Sequence, residues 1–252
     1  MSERTKDKGE PLSRIRKIYI AKLVGRILVL CAGFYLYVRE PEEFGILEGM
    51  NFFREFSLFH ILWVIWMIDM LFQLIPVGKR IALGSQKLFR LHFRPIVEKI
   101  NYQNLKQYII STTKSAYRVL LLWTVLTAAL GVLYYRGMID KSFLLMTSIV
   151  FYVCDLICVL VWCPFRLMMG NRCCTTCRIF NWDHLMMFCP VLFVGGFFAG
   201  SLVVASILVW LVWELCVFIY PERFWEYTNA ALKCSNCTDK LCTQYCKKLR
   251  GM

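Results

Sequence analysis

Apolar residues in this chain fall in long, unbroken runs separated by polar stretches, and the runs do not alternate. Continuous runs of about 20 apolar residues are the pattern of membrane-spanning helices, whereas a β-barrel needs alternation. The runs predict helices over Ile18 to Val38, Phe56 to Pro76, Val119 to Tyr135 and Ser142 to Trp162. The last run, Leu185 to Tyr220, has about 36 residues. As one straight helix it would be about 54 Å long, against a hydrocarbon core of about 30 Å. Two spans fit if the chain turns between Gly195-Gly196 and Gly200-Ser201. That places a fifth helix from Asp183 to about Gly200 and a sixth from Ser201 to Tyr220. The expected fold is an all-α polytopic membrane protein of about six transmembrane helices over 18–220. A basic N-terminal segment (1–17) and a short Cys-rich C-terminal segment (221–252) flank it.

The polar stretches differ in charge. Residues 39–55 hold five glutamates (Glu40, Glu42, Glu43, Glu48, Glu55) against Arg39 and Arg54. Residues 77–118 hold nine Lys/Arg and one acid, Glu98. There Lys87, Arg90 and Arg94 recur at helical spacing among Leu88, Phe89, Leu91 and Phe93, which predicts amphipathic helices lying on lipid headgroups.

Composition agrees with a membrane setting. The chain is 58% hydrophobic and 19% charged, against roughly 45–50% apolar usage in soluble domains. The net charge of +13 is read as loops facing anionic lipid, with no role for nucleic acid. With six helices, 25 Lys/Arg fall on the side of the termini and four on the other. The positive-inside rule then places both termini in the cytoplasm, in a bacterial inner membrane. The first apolar run is full-length and no small-residue cleavage site follows it, so it reads as a retained helix.

Thirteen cysteines change the picture further. Segment 163–190 carries Cys163, Cys173, Cys174, Cys177 and Cys189, with a Cys-Pro pair at each end. The C-terminal segment carries Cys234, Cys237, Cys242 and Cys246. Cys174-x-x-Cys177 and Cys234-x-x-Cys237 bracket the predicted hairpin, whose two feet lie side by side. Four thiolates so placed meet the needs of a tetrahedral zinc site or an iron–sulfur cluster. Cys242 and Cys246, one helical turn apart, are a third pair; Cys173, Cys163 and Cys189 are expected at the same membrane depth. Arg172, Arg178, Lys233, Lys240, Lys247 and Lys248 stand near enough in sequence to compensate thiolate charge. His184, next to Asp183 at the start of the fifth helix, reads as a cap neighbour or as a further ligand or proton relay. Cys158 is one residue too far from Cys163-Pro164 for the Cys-x-x-x-Cys-Pro signature of membrane polyferredoxins, so no family is assigned.

Three carboxylates, Asp69, Asp155 and Glu214, fall inside predicted spans, where charge is costly and mostly faces the bundle interior. Asp69 shares a helix face with Gln73, and Asp155 with Cys158, which itself lies one turn from Cys154. The three acids read as a proton or ion path. The expected function is a membrane metalloprotein with a cytoplasmic cysteine-ligated zinc or iron–sulfur site, passing electrons to a membrane or cytoplasmic redox partner or sensing redox state. The alternatives are a metal-ion or proton-coupled transporter and a non-catalytic scaffold with structural zinc. No phosphate loop, hydrolase triad or dinucleotide fingerprint appears, so no reaction is assigned.

Overall fold

The computed structural model describes residues 13–54, 56–76, 88–96, 101–170, 177–236 and 241. They form an all-helical bundle: α1 (Arg14–Arg39), α2 (Leu58–Leu74), α3 (Tyr102–Tyr135), α4 (Lys141–Leu160), α5 (Pro164–Met169), α6 (Asp183–Phe188) and α7 (Gly196–Ile219). No strand occurs among the described residues, only an isolated bridge between Pro95 and Asn229. Helices α1, α3, α4 and α7 are long and apolar enough to cross a membrane; α2, at 17 residues, is a shorter apolar helix. Each starts where sequence allows. Ser13 Oγ accepts from Arg16 N at 3.1 Å, Asn101 from Gln103 N and Asn104 N, and Asp140 from Phe143 N at 2.8 Å. At Ser57 the returning partner of the cap is a ring nitrogen, His60 Nδ1, which accepts from Ser57 N at 3.0 Å.

Bare apolar surface supports a lipid setting. Leu28, Leu121, Val125, Leu208 and Phe218 are each more than half exposed, on α1, α3 and α7. Inside, Trp66, Ile149, Phe188, Phe198 and Leu202 form one core. Short 3₁₀ turns at Pro41–Leu47 and Asn51–Phe53 fold over one end of it, burying Phe44 and Leu47 completely. Lys141 pairs with Glu48 at that end, and Phe197 N donates to Gly49 O at 2.8 Å. The start of α1 and the end of α4 share a cluster at the opposite end, through Tyr19, Leu156 and Leu160.

Three expectations change. The predicted third helix is the second half of the 34-residue α3, about 51 Å long, so its basic first half is not a separate surface helix. Residues 88–96 do not lie on a surface helix either. Leu88 is buried, Phe89 stacks edge-on against Trp213 at 5.2 Å, and Ala230 N donates to Arg94 O at 2.8 Å. Residues 77–87 and 97–100 lie outside the described residues.

The third change is the predicted fifth helix. Its run begins as a 3₁₀ turn (Arg178–Trp182), becomes α6, and ends as a second 3₁₀ turn (Pro190–Phe193). Pro190 explains the break, since it has no N–H to give and its ring clashes with the preceding turn. The chain then reverses at Gly195 and Gly196, with φ of 74° and 76°, and α7 begins there, five residues before the expected Ser201. A Cβ on Gly196 would lie 2.4 Å from Leu47 O, so glycine is required by space as well as by dihedral. Residues 178–193 run back along α7. Trp182 stacks edge-on against Trp210 at 6.4 Å, and Arg178 pairs with Glu214.

Candidate functional site

Thiols collect near the end of α4. Cys154 and Cys158 on α4, Cys163 capping α5 and Cys177 before the next 3₁₀ turn all line one cavity of about 90 Å³. Its other walls are mostly aromatic and apolar, with Trp123, Phe151, Phe165 and Phe180. Cys163 and Cys177 are buried. Cys173, Cys174, Cys237, Cys242 and Cys246 lie outside the described residues, as do Arg172, Lys240, Lys247 and Lys248. Cys234 opens a short 3₁₀ turn, Cys234–Asn236. The residue before Cys242 is described. Leu241 is buried in a cluster with Val159 and Leu160, against which Phe180 packs. Val159 and Phe180 are also walls of the thiol cavity. Among the described residues, no three His, Cys, Asp or Glu side chains are grouped to hold a metal ion.

Three expected members of the thiol site belong elsewhere. Cys189 stands beside Thr127 of α3, whereas Arg178 bonds Thr113 of the same helix. Fourteen residues of α3 separate these points, about 21 Å at helical rise, so Cys189 is at a different depth. Arg178 is no thiolate counter-ion; it is buried and engaged with Glu214. His184 is buried beside Asp183, with Nδ1 3.0 Å from Asp183 Oδ1. It does not line the thiol cavity. Trp182 is 1% exposed and donates from Nε1 to Glu214 Oε1 at 2.8 Å.

The three membrane carboxylates divide between two clusters. Glu214 stands in the first. Arg178 grips it through Nε at 3.1 Å and through Nη2, and Tyr117 donates to it at 3.4 Å alongside Trp182. Arg178 Nη1 is used up on Thr113 Oγ1 at 2.5 Å. Asp155 and Asp69 stand in the second. Arg26 of α1 turns inward. Its Nη1 donates to Asp155 Oδ2 at 2.7 Å and to Tyr152 O at 2.5 Å, and its guanidinium lies 3.8 Å over the Tyr152 ring. Tyr152 Oη reaches Asp69 Oδ2 at 3.5 Å. Asp183 joins from α6. Its Oδ1 accepts from Gln73 Nε2 at 2.7 Å and from His184 N at 2.7 Å. Asp155 and Asp183 both line the thiol cavity, so this cluster abuts it.

Sequence reasoning found the acids and the Asp69–Gln73 face but missed Arg26, Tyr152, Asp183, Thr113 and Tyr117 as their partners. The available signal was a matching count: Arg26 is the one basic residue within the first predicted helix away from its start, and a buried acid needs such a base. No known protein family, no curated protein and no solved structure matches the chain.

Proposed function

We propose that this is an integral membrane metal–thiolate protein, in which Cys174, Cys177, Cys234 and Cys237 hold a zinc ion or an iron–sulfur cluster at the cytoplasmic end of the bundle. Cys242 and Cys246 are the reserve pair and Cys173 the adjacent thiol. The observation that carries the reading is the meeting of two distant segments. Cys177 lines the thiol cavity, and Leu241, between Cys237 and Cys242, shares a buried cluster with Val159 of its wall. The hairpin supports it too, since Arg178 beside Cys177 reaches Glu214 near the foot of α7. Zinc in this position braces the cytoplasmic end; an iron–sulfur cluster passes electrons to a membrane or cytoplasmic partner. The transporter reading has less support, because Asp155 and Glu214 are each paired with an arginine.

The chain crosses the membrane six times on this reading: by α1, α2, α3, α4 and α7, and by the broken segment 178–193. Both termini then lie at the end rich in Lys/Arg, which is the cytoplasmic side of a bacterial inner membrane with anionic lipid against it. Elemental analysis of anaerobically purified protein is the test. Bound zinc or iron in the wild type, lost in the Cys174/Cys177/Cys234/Cys237→Ser variant, is the expected result; visible absorbance separates iron–sulfur from zinc. A variant that keeps the wild-type metal content refutes the assignment.

A further inference from the structure

A break in the helix brings Cys158 and Cys163 together. In a continuous α-helix, residues five apart point about 140° away from each other. Here α4 ends at Leu160, and Val161 N and Trp162 N both donate to Ile157 O, at 2.8 and 3.2 Å. Cys163 then precedes Pro164, and a proline disfavours helical backbone at the residue before it. Its φ of −122° and ψ of 117° are extended. The turn folds the Cys163 side chain back beside that of Cys158. Both line the cavity at the end of α4, and neither belongs to the four-thiolate site proposed above.

The walls limit what the cavity can take. Its volume is about 90 Å³, whereas a cavity of ~150 Å³ is what accepts a benzene ring. An ion fits where an aromatic ligand does not. Besides the thiols, the lining is apolar and soft, with Trp123, Phe151 and the buried thioethers of Met186 and Met187. The carboxylates on the wall are engaged, Asp155 with Arg26 and Asp183 with Gln73 and His184. A hard cation such as magnesium or calcium takes about six oxygens or more, which these walls do not offer. Structural zinc takes four ligands, and among the described residues no third His, Cys, Asp or Glu side chain is grouped with the pair to hold a metal ion. Thiolate and thioether sulfur select Cu(I), an ion that two thiolates in line can satisfy.

We propose that Cys158 and Cys163 form a two-coordinate Cu(I) site, with the thioethers of Met186 and Met187 on the surrounding wall. Binding releases one proton from each thiol and moves no electrons: two thiols and Cu⁺ give a dithiolate complex of charge −1 and two H⁺. Thiolates are costly to bury unpaired, and the metal is what drives their deprotonation. Arg166, three residues after Cys163, lines the same cavity and brings positive charge to the anionic complex. The site is independent of the zinc or iron–sulfur reading, because it uses none of those four cysteines.

The test uses full-length protein in detergent, anaerobic and with ascorbate, titrated against the coloured bathocuproine disulfonate complex of Cu(I). The Cys158→Ser/Cys163→Ser variant should take up one equivalent of Cu(I) less than the wild type, while its zinc or iron content and thermal midpoint stay those of the wild type. Cys163→Ser alone should weaken that equivalent by more than the ~10–100-fold that loss of an outer partner costs. The Cys174/Cys177/Cys234/Cys237→Ser variant should keep it, which separates this site from the other. Uptake that the Cys158 and Cys163 substitutions leave unchanged overturns the proposal, as does displacement of this equivalent by an equal amount of zinc. X-ray absorption of the wild type loaded with one equivalent of copper gives a reading that needs no variant. A shell of two or three sulfurs is expected; four sulfurs, or nitrogen or oxygen neighbours, overturn the site.

Discussion

Glu214 and Asp155 are both carboxylates on apolar helices, each facing an arginine from elsewhere in the chain, yet their surroundings differ in one respect. Glu214 meets Arg178 one-to-one, and Trp182 and Tyr117 fill its remaining lone pairs. No other acid stands in that cluster. Asp155 shares Arg26 with a neighbourhood that holds two more acids and an empty amide oxygen. The first is one acid against one base with its lone pairs filled; the second gathers three acids about one arginine and one histidine. A buried pair matched one-to-one holds a structure in register, and a shared one spreads the loss of any single member over its neighbours.

Breaking each in turn sharpens this contrast. The largest effect belongs to the one-to-one pair. Glu214→Leu leaves the Arg178 guanidinium, with only 6% of its side chain exposed, without its carboxylate. Removing one partner of a buried pair costs about 3–5 kcal/mol. Denaturant unfolding in detergent should show that loss, and replacing Arg178 and Glu214 together by apolar residues should recover much of it. Equal damage from the single and double changes removes the pair from its structural role. A smaller loss is expected for Asp155→Asn. Arg26 keeps Tyr152 O and the Tyr152 ring, its side chain is 12% exposed, and two other acids stay in its cluster. A cost of about 1–3 kcal/mol is the expected range; a cost matching that of Glu214→Leu shows that the two clusters are alike.

The smallest effect belongs to an exposed pair. Lys141 holds the Glu48 carboxyl below the ordinary glutamate value, first by its hydrogen bond and then by its charge. The folded value is the lower one, so the pair's contribution is complete at neutral pH. It fades as pH falls through the acidic range below that ordinary value. Solvent screens it, and Glu48→Gln should flatten only a slight acid-side slope in the thermal midpoint. A slope as steep as that of a buried pair moves this loop into the class of the two clusters.

Much of the helix pattern was legible because a bilayer-length apolar run leaves the chain little choice of structure. The start of α4 at Lys141, one residue before the expected Ser142, and the reversal at Gly195–Gly196, inside the expected turn, follow from run length and turn chemistry. The break in the expected fifth helix was less so, although Pro190 carried the warning. Periodicity weighs a proline lightly when every neighbour is apolar. The site was legible by residue type and not by partner. Arg26 and Asp155 are 129 positions apart, and nothing local to either names the other. Cys189 looked like a member of the thiol group because it is followed by proline as Cys163 is; the descent of the chain through α6 carries it away.

On the six-span reading proposed above, the broken segment 178–193 bears on how the chain enters its membrane. Residues 178–193 offer only eight apolar positions after Asp183, and they bring Arg178, Asp183 and His184 with them. Such a segment is too short and too polar to partition out of the translocation channel unaided. Its arginine finds a carboxylate only on α7, which is synthesised later, and its aspartate finds an amide only on α2, made long before. Integration is therefore a joint event: the segment leaves the channel with α7 as a pair, docking onto helices already in place. The order of synthesis, and not the hydrophobicity of the segment, is what commits it to the bilayer.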